Sequence, residues 1–441
     1  MAGIWTDKKS KVLNGAYLNF RSLSSTGGFQ FGDVGVLAVA MPLTWGDTVT
    51  ELEMSELISE ASDAKIGLSL NDMDNKVLNL IEAFKNVGKV IVVRTDRDGQ
   101  QAGALLGSTV VLTVTARYAG DSGNKIAVSI ETSDAKFKVS TYFNGNLKDS
   151  QIVSTIDDLL DNEYVIFSGT GTPEVSSLEY LEGGANGVVD TSDILDTLSS
   201  YEFDVLYSTS TIDDLATKVK THRDAGHYFQ VLVPYEPETP FDYEGIIQLA
   251  PQTFTDSNGV DITEQVKFYI AGALAGAQVS QSATYHVIPF IANSLPAHTV
   301  KEMEDLKLAG VMFVKRRFNG DWVIEEDLNS LTTFDADRNK AYSSNRVIRT
   351  LKVIHNYIVD KFEGSYIGQG NTEILRDVFK SEVAGLILQL QARGVIENFD
   401  AQRDITIRVG SDTTSVEVDL YLQPAGVLSK LYMNVIVTQN R

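Results

Sequence analysis

His222, His227, His286, His298 and His355 are the only imidazoles in this chain, and there is no cysteine to supplement them. Together they bound its nucleophilic and metal chemistry. A Ser-His-Asp hydrolase needs one of these rings beside a serine, a carboxylate and an oxyanion hole. No G-x-S-x-G elbow occurs, and the histidines lack partner spacing, so packing and surface roles are expected for all five. Disulfides, zinc–thiolate centres and a cysteine nucleophile are excluded. Asp96-x-Asp98-Gly99 and Asp256-x-Asn258-Gly259-x-Asp261 resemble fragments of a calcium loop, but neither continues to the required glutamate. Turn chemistry accounts for both. There is no P-loop, and the expectation is a chain with no catalytic residue, cofactor or metal.

The remaining chemistry is cationic. Lys315-Arg316-Arg317 is a basic run on an expected hairpin, Arg346, Arg349 and Lys352 fall together on one face of an expected helix, and Arg376 and Lys380 are spaced i,i+4 on the next. Any of these could dock an anionic surface. The net charge of −22 argues against nucleic acid, which would be repelled at long range. Contact with a neighbouring subunit is the expected use of these cations. Residues 301–441 carry 18 Lys/Arg and 20 Asp/Glu, against 19 and 39 in residues 1–300; residues 182–264 hold 16 acidic and 3 basic ones. A nearly neutral third joined to acidic regions suits a subunit that packs through one part and is solvated through the rest.

The elements that position these groups follow from periodicity. Residues 33–40 and 89–94 read as buried strands, with helical spacing over 50–60 and 72–87 between them, a small α/β domain over 29–100. Residues 101–181 change to short strands, including a hairpin around Asn144-Gly145, and read as a β-sandwich insertion. After the breaker cluster at 181–187, helices and strands alternate through Val205–Tyr207, Phe229–Pro234, His286–Pro289 and Val311–Val314, which predicts a parallel α/β domain over 182–335 closed by a hairpin at Asn319-Gly320. The last domain, 336–426, has long helices over 344–362 and 372–393 and then strands Asp404–Val409 and Ser415–Leu422.

Both ends read as strands without partners. Residues 428–438 alternate Leu431, Met433, Val435 and Val437 against Tyr432, Asn434 and Ile436; Ala16–Arg21, with Tyr17, Leu18 and Phe20, alternates likewise before the run Ser22–Gly28. These give an N-terminal arm over 1–28 and a C-terminal arm over 427–441. A strand donated to another copy makes a polymer, because donor and acceptor are different surfaces. The N-terminus lacks the apolar run of a signal peptide, and no stretch reaches the roughly 18 apolar residues of a membrane span, so assembly in the cytosol without membrane contact is expected.

Several stretches carry a family resemblance: Thr115–Ile126 (TARYAGDSGNKI), Leu181–Gly187 (LEGGANG), Asp327–Leu331 with Asn345-Arg346-Val347, and Gly364–Gln369. In this order and spacing the chain resembles the contractile tail sheath proteins of bacteriophages, phage-tail-like bacteriocins and related injection systems, most of all the shorter sheaths of Gram-positive phages and defective prophages. The resemblance implies an α/β multidomain fold in which the parallel α/β domain is subtilisin-like and the C-terminal domain is α+β with strand-exchanging termini. It implies donors Tyr17, Leu18, Phe20, Leu431, Met433, Val435 and Val437, and acceptors Ile405, Ile407, Val409, Val416, Val418 and Leu420. It also implies stacked six-fold rings of this chain around a tail tube, with the C-terminal domain next to that tube and Arg346, Arg349, Lys352, Arg376 and Lys380 as candidates for tube or subunit contact, with baseplate and tail terminator proteins as further partners, and with contraction without nucleotide. The alternative is a subtilisin-like hydrolase with accessory β-domains.

Overall fold

The computed structural model describes residues 35–431 and 433, apart from 60, 69 and 71–73. Strand β1 (Val36–Met41) is buried along almost its whole length, whereas β2 (Val49–Glu53) alternates buried and exposed positions. Short helices α1 (Met54–Ile58) and α2 (Ser62–Ile66) and the amphipathic α3 (Asn75–Phe84) lead to β3 (Lys89–Arg94), again buried throughout. The helical spacing expected over 50–60 therefore starts only at Met54. Val49–Glu53 has period two and pairs antiparallel with β3, which gives its backbone groups partners.

The β-region comprises β4 (Gln101–Leu106), β5 (Leu112–Ala119), β6 (Ile126–Ser133), β7 (Lys136–Phe143), β8 (Asn146–Val153), β9 (Val165–Ser168) and β10 (Ser176–Tyr180). They form a three-stranded sheet, β4-β5-β9, and a four-stranded sheet, β10-β6-β7-β8, over one core containing Val114, Ile126, Val128, Val139 and Phe143. Asn144 and Gly145 both have positive φ, 51° and 79°, the turn that matches the twist of the β7–β8 hairpin.

Next come α4 (Ile194–Thr197), β11 (Val205–Ser208), α5 (Leu215–Asp224), β12 (Gln230–Pro234), β13 (Ile246–Leu249) and β14 (Thr253–Thr255). Helix α6 (Thr263–Gly276), β15 (Asn293–Leu295), α7 (Val300–Leu308), β16 (Val311–Met312), β17 (Val314–Arg316) and β18 (Trp322–Ile324) complete the region. Seven strands form one sheet in the order β16-β13-β12-β11-β1-β3-β2, parallel except for β2. The two α/β segments expected as separate domains thus share a single sheet. A strand apolar on both faces must be covered on both, and β1 and β3 achieve this inside the larger sheet. Helix α6 lies on one face beside α3, and the two helices approach so closely that a Cβ on Gly272 or Gly276 would lie 2.4 or 1.9 Å from the carbonyl oxygens of Ala83 and Asn86. The expected strand at His286–Pro289 is reduced to an isolated bridge between Val287 and Val323, and its place in the sheet is taken by β13.

The last region consists of α8 (Asn345–Ser365), α9 (Glu373–Ala392) and the antiparallel pair β19 (Ile405–Val409) and β20 (Val416–Leu420). Ile354, Phe379, Val383, Leu386, Ile387, Leu390 and Ile405 form their core.

Candidate functional site

The expected helix-face patch is not a surface. The first two turns of α8, Asn345–Lys352, are buried on every side, with Arg346, Arg349 and Lys352 each at most 8 % exposed. A buried guanidinium needs all its donors used. Arg346 donates to the carbonyls of Val279 (3.1 Å), Ala425 (2.8 Å) and Gly394 (3.0 Å), so one side chain joins the α/β region to the segment after α9 and to the segment after β20. Burial among carbonyls, with Arg349 nearby, lowers its pKa. Arg349 donates to Asp327 Oδ2 at 2.7 Å and to the Gln281 carbonyl at 3.2 Å. Lys352 reaches Asp204 Oδ1 at 2.8 Å and the Phe203 carbonyl at 2.5 Å. The three cations assigned by sequence to a tube or subunit contact are thus consumed within the chain. Helical periodicity places them on one face correctly, but what covers that face comes from residues about 22 to 148 positions away.

Asp327 is the counter-ion that sequence reasoning did not single out. Burial alone would raise its pKa; Arg349, the Ala283 N–H at 3.0 Å and the Asn345 amide at 2.9 Å outweigh this and hold it low. The Asn345 amide also donates to the Leu328 carbonyl, and its oxygen accepts from Gln230. The Asp327–Leu331 and Asn345–Val347 stretches are therefore one buried polar lock. The Thr115–Ile126 and Leu181–Gly187 stretches likewise clasp each other: Asn124 exchanges two hydrogen bonds with the Gly184 backbone (2.8 and 2.9 Å), and Asn186 does so with Asp121 (2.7 and 3.0 Å).

The other groups have local roles. Asp256 accepts from the Asn258 and Val260 N–H groups (both 2.8 Å) and closes a turn, whereas Asp96, expected to do the same, is buried and accepts from the distant Leu43 N–H (2.8 Å) and from Arg94 (3.1 Å), a tertiary tie rather than a turn. His222 pairs with Asp196 at 3.1 Å, and His286 with the Tyr269 hydroxyl at 3.2 Å. His355 stacks on Tyr228 at 4.3 Å between ring centres, and burial pushes its pKa down to about 4. In the basic hairpin Lys315 pairs with Glu325 and Tyr285, while Arg316 and Arg317 stay exposed beside the fully exposed Phe318.

Of the tube-contact candidates, Arg376 and Lys380 remain half-exposed on α9. Arg376 donates to the carbonyl (3.0 Å) and side-chain oxygen (2.8 Å) of Asn371. Exposed Ile374, Val378 and Leu388 lie along the same helix.

The expected acceptor residues form three cross-strand pairs on the β19–β20 ribbon: Ile405 with Leu420, Ile407 with Val418, and Val409 with Val416. Ile405 is fully buried against α9, Val418 is 37 % exposed and Val409 45 % exposed, so the apolar face runs outward past its own core. Of the expected donors, Leu431 and Met433 are exposed and outside any strand; Tyr17, Leu18, Phe20, Val435 and Val437 lie outside the described residues.

Comparison with known proteins covers nearly the whole chain. Residues 97–186 match the phage tail sheath protein β-sandwich domain, 184–330 the phage tail sheath protein central domain, and 337–438 the phage tail sheath C-terminal domain. Protein XkdK of the phage-like element PBSX of Bacillus subtilis is 30 % identical over 99 % of both chains. The sheath tail protein of Desulfitobacterium hafniense is 31 % identical, with a TM-score of 0.74 over 96 % of this chain and 99 % of that one. The helical sheath of the anti-feeding prophage in its contracted state shares the fold at 11 % identity, with a TM-score of 0.53 over 98 % of this chain and 100 % of that one. The chain belongs to the phage tail sheath family, and its role is structural rather than enzymatic.

Proposed function

We infer that this chain polymerises as stacked six-fold rings around a tail tube, and that contraction of the polymer drives the tube through a target envelope. The observation that carries this reading is the β19–β20 ribbon. Two strands alone are marginal in water, and here their apolar face extends beyond the core with no third strand beside it among the described residues. A strand from another copy would satisfy the open edge and cover Val409 and Val418. Ala16–Arg21 and Leu431–Val437 are the proposed donors. Backbone pairing of this kind survives rotation between rings, while weaker side-chain interfaces are exchanged.

Contraction needs no nucleotide in this reading, since an extended polymer held by its tube is metastable against a state that buries more surface. With the cations of α8 committed inside the chain, α9 is the proposed tube-facing element, through Ile374, Val378 and Leu388 flanked by Arg376 and Lys380. The likeness to a contracted helical sheath supports the polymer, and the family supports placement in a virion tail or phage-like particle built in the bacterial cytoplasm. Baseplate and tail terminator proteins are the proposed end partners, and the subtilisin-like description belongs to the parallel α/β region. The domain divisions proposed from sequence stand as units of assembly, with the qualification that the first and third share a sheet.

Electron microscopy of the purified chain at rising concentration tests the reading. Hollow six-fold cylinders are expected, in the contracted form because no tube holds them extended. Monomers at every concentration, with or without added tube protein, would overturn it.

A further inference from the structure

The parallel sheet has two chemically opposite ends. At the C-terminal end of β16 the β17–β18 hairpin carries Arg316, Arg317 and Phe318, all exposed; Phe318 exposes its whole side chain. A fully exposed phenylalanine next to two arginines contributes nothing to the fold of its own chain, and Gly320 and Asp321 hold the tip in a tight turn, with the Arg317 N–H donating to the Asp321 carbonyl at 2.7 Å and the Arg317 guanidinium 3.6 Å from the Asp321 carboxylate. Arg317 also lies 5.8 Å from the Tyr285 ring, which fixes the tip laterally.

At the N-terminal ends of β11 and β12 lies a shallow depression lined by Leu198, Tyr201, Phe203, His227 and Tyr228. Glu202 lines it too and Asp196 stands on its rim through His222, with side chains 76 % and 80 % exposed. The depression has room for about 10 Å³, the size of one water, so an incoming ring would lie across its aromatic floor rather than enter it.

We propose that the Arg316-Arg317-Phe318 tip of one copy seats on this depression of a second copy, Phe318 against the aromatic floor and the two guanidinium groups toward Asp196 and Glu202. Charge complementarity selects the occupant: the tip carries Arg316 and Arg317 against the single carboxylate Asp321, and residues 182–264, which supply the whole lining of the depression, hold 16 acidic residues against 3 basic. Direction selects the symmetry. All strands between the two features are parallel, so tip and depression project from opposite ends of one sheet, and a contact between them is head-to-tail and open-ended rather than a closed pair. The inference rests on the polymer reading and adds to it a side-chain contact separate from the strand exchange. Exposed charge pairs of this kind are weakened by salt, which suits an interface that must be released and remade.

The absence of cysteine makes the test clean. A full-length chain carrying both Phe318→Cys and exposed Ser199→Cys, which lines the depression, should give a ladder of disulfide-linked multimers under mild oxidation, while each single variant should not. In parallel, Arg316→Glu with Arg317→Glu should raise the concentration needed for assembly at least tenfold, and mixing that variant with one carrying Asp196→Lys and Glu202→Lys should restore assembly. Cylinders from the unmodified chain together with no ladder and unshifted charge-reversal variants would overturn this contact and leave the sheath reading standing. No association of the unmodified chain at all would overturn both.

Discussion

The root of α8 and the β19–β20 ribbon lie in the same region of the chain and obey opposite rules. At the root, both turns are buried and each charged side chain finds its partner inside the chain, Arg346 with three carbonyls, Arg349 with Asp327 and Lys352 with Asp204, although the buried Arg349 Nε is left without a hydrogen bond among the described residues. On the ribbon, apolar cross-strand pairs continue past the core that supports them, and the two-stranded sheet stops short. One region is complete within a single chain; the other, in the proposed reading, is completed by a strand from another copy. On that reading charge serves internal rigidity while plain apolar strand residues serve recognition, the reverse of what residue type alone suggests.

The largest expected effect breaks the comparison at the ribbon. Removing residues 427–441, or separately 1–24, should abolish cylinders by electron microscopy while leaving the thermal midpoint of the subunit nearly unchanged. Normal polymers from both truncations would remove strand exchange from the mechanism. Breaking the comparison at the root should do the opposite. Arg349→Ala leaves Asp327 buried and unpaired, and should cost about 3–5 kcal/mol in denaturant unfolding. Pairing Arg349→Met with Asp327→Asn should recover much of that loss, because no uncompensated charge remains.

Acid sharpens the comparison through His355, which lies on α8 just beyond the root. Burial, together with Arg223, His227 and Lys352, holds His355 neutral with a pKa of about 4 against 6.5 when exposed. Between those values the unfolded chain binds a proton that the folded chain does not. Stability from this group is therefore complete above about pH 6.5 and falls by about 3 kcal/mol as pH drops to about 4. Comparing unfolding of the parent with His355→Gln across this range should show a shallower slope in the variant; identical slopes would place His355 in a solvated site. The smallest effect on stability, within about 0.5 kcal/mol, is expected from Arg376→Glu with Lys380→Glu on the exposed side of α9. The same pair should weaken co-sedimentation with tube protein, and unchanged binding would point to another face.

Legibility in the sequence tracks the range of the forces involved. The β6–β7–β8 meander and the long helices α8 and α9 were readable because a turn dipeptide or a helical stripe is written in consecutive residues. The strand β13 was missed because its three apolar residues and Gln248 sit between loops without a local period, and Val287 was read as a strand on the same weak signal. The acceptor pairs on β19 and β20 were legible as alternation, although their graded exposure was not.

By itself the sequence determined the local periods, the absence of thiol and P-loop chemistry, the uneven charge and the alternation of residue types at the ends, since each depends only on residue type and spacing. Tertiary structure alone decided that two α/β segments share one sheet, that the cations of α8 face Asp327, Asp204 and backbone carbonyls, and that the hairpin tip and the acidic depression point in opposite directions. The physical reason is desolvation. Whether a charge or an apolar face is buried, and against what, depends on segments brought together from far along the chain, and a helical or strand period carries no record of them.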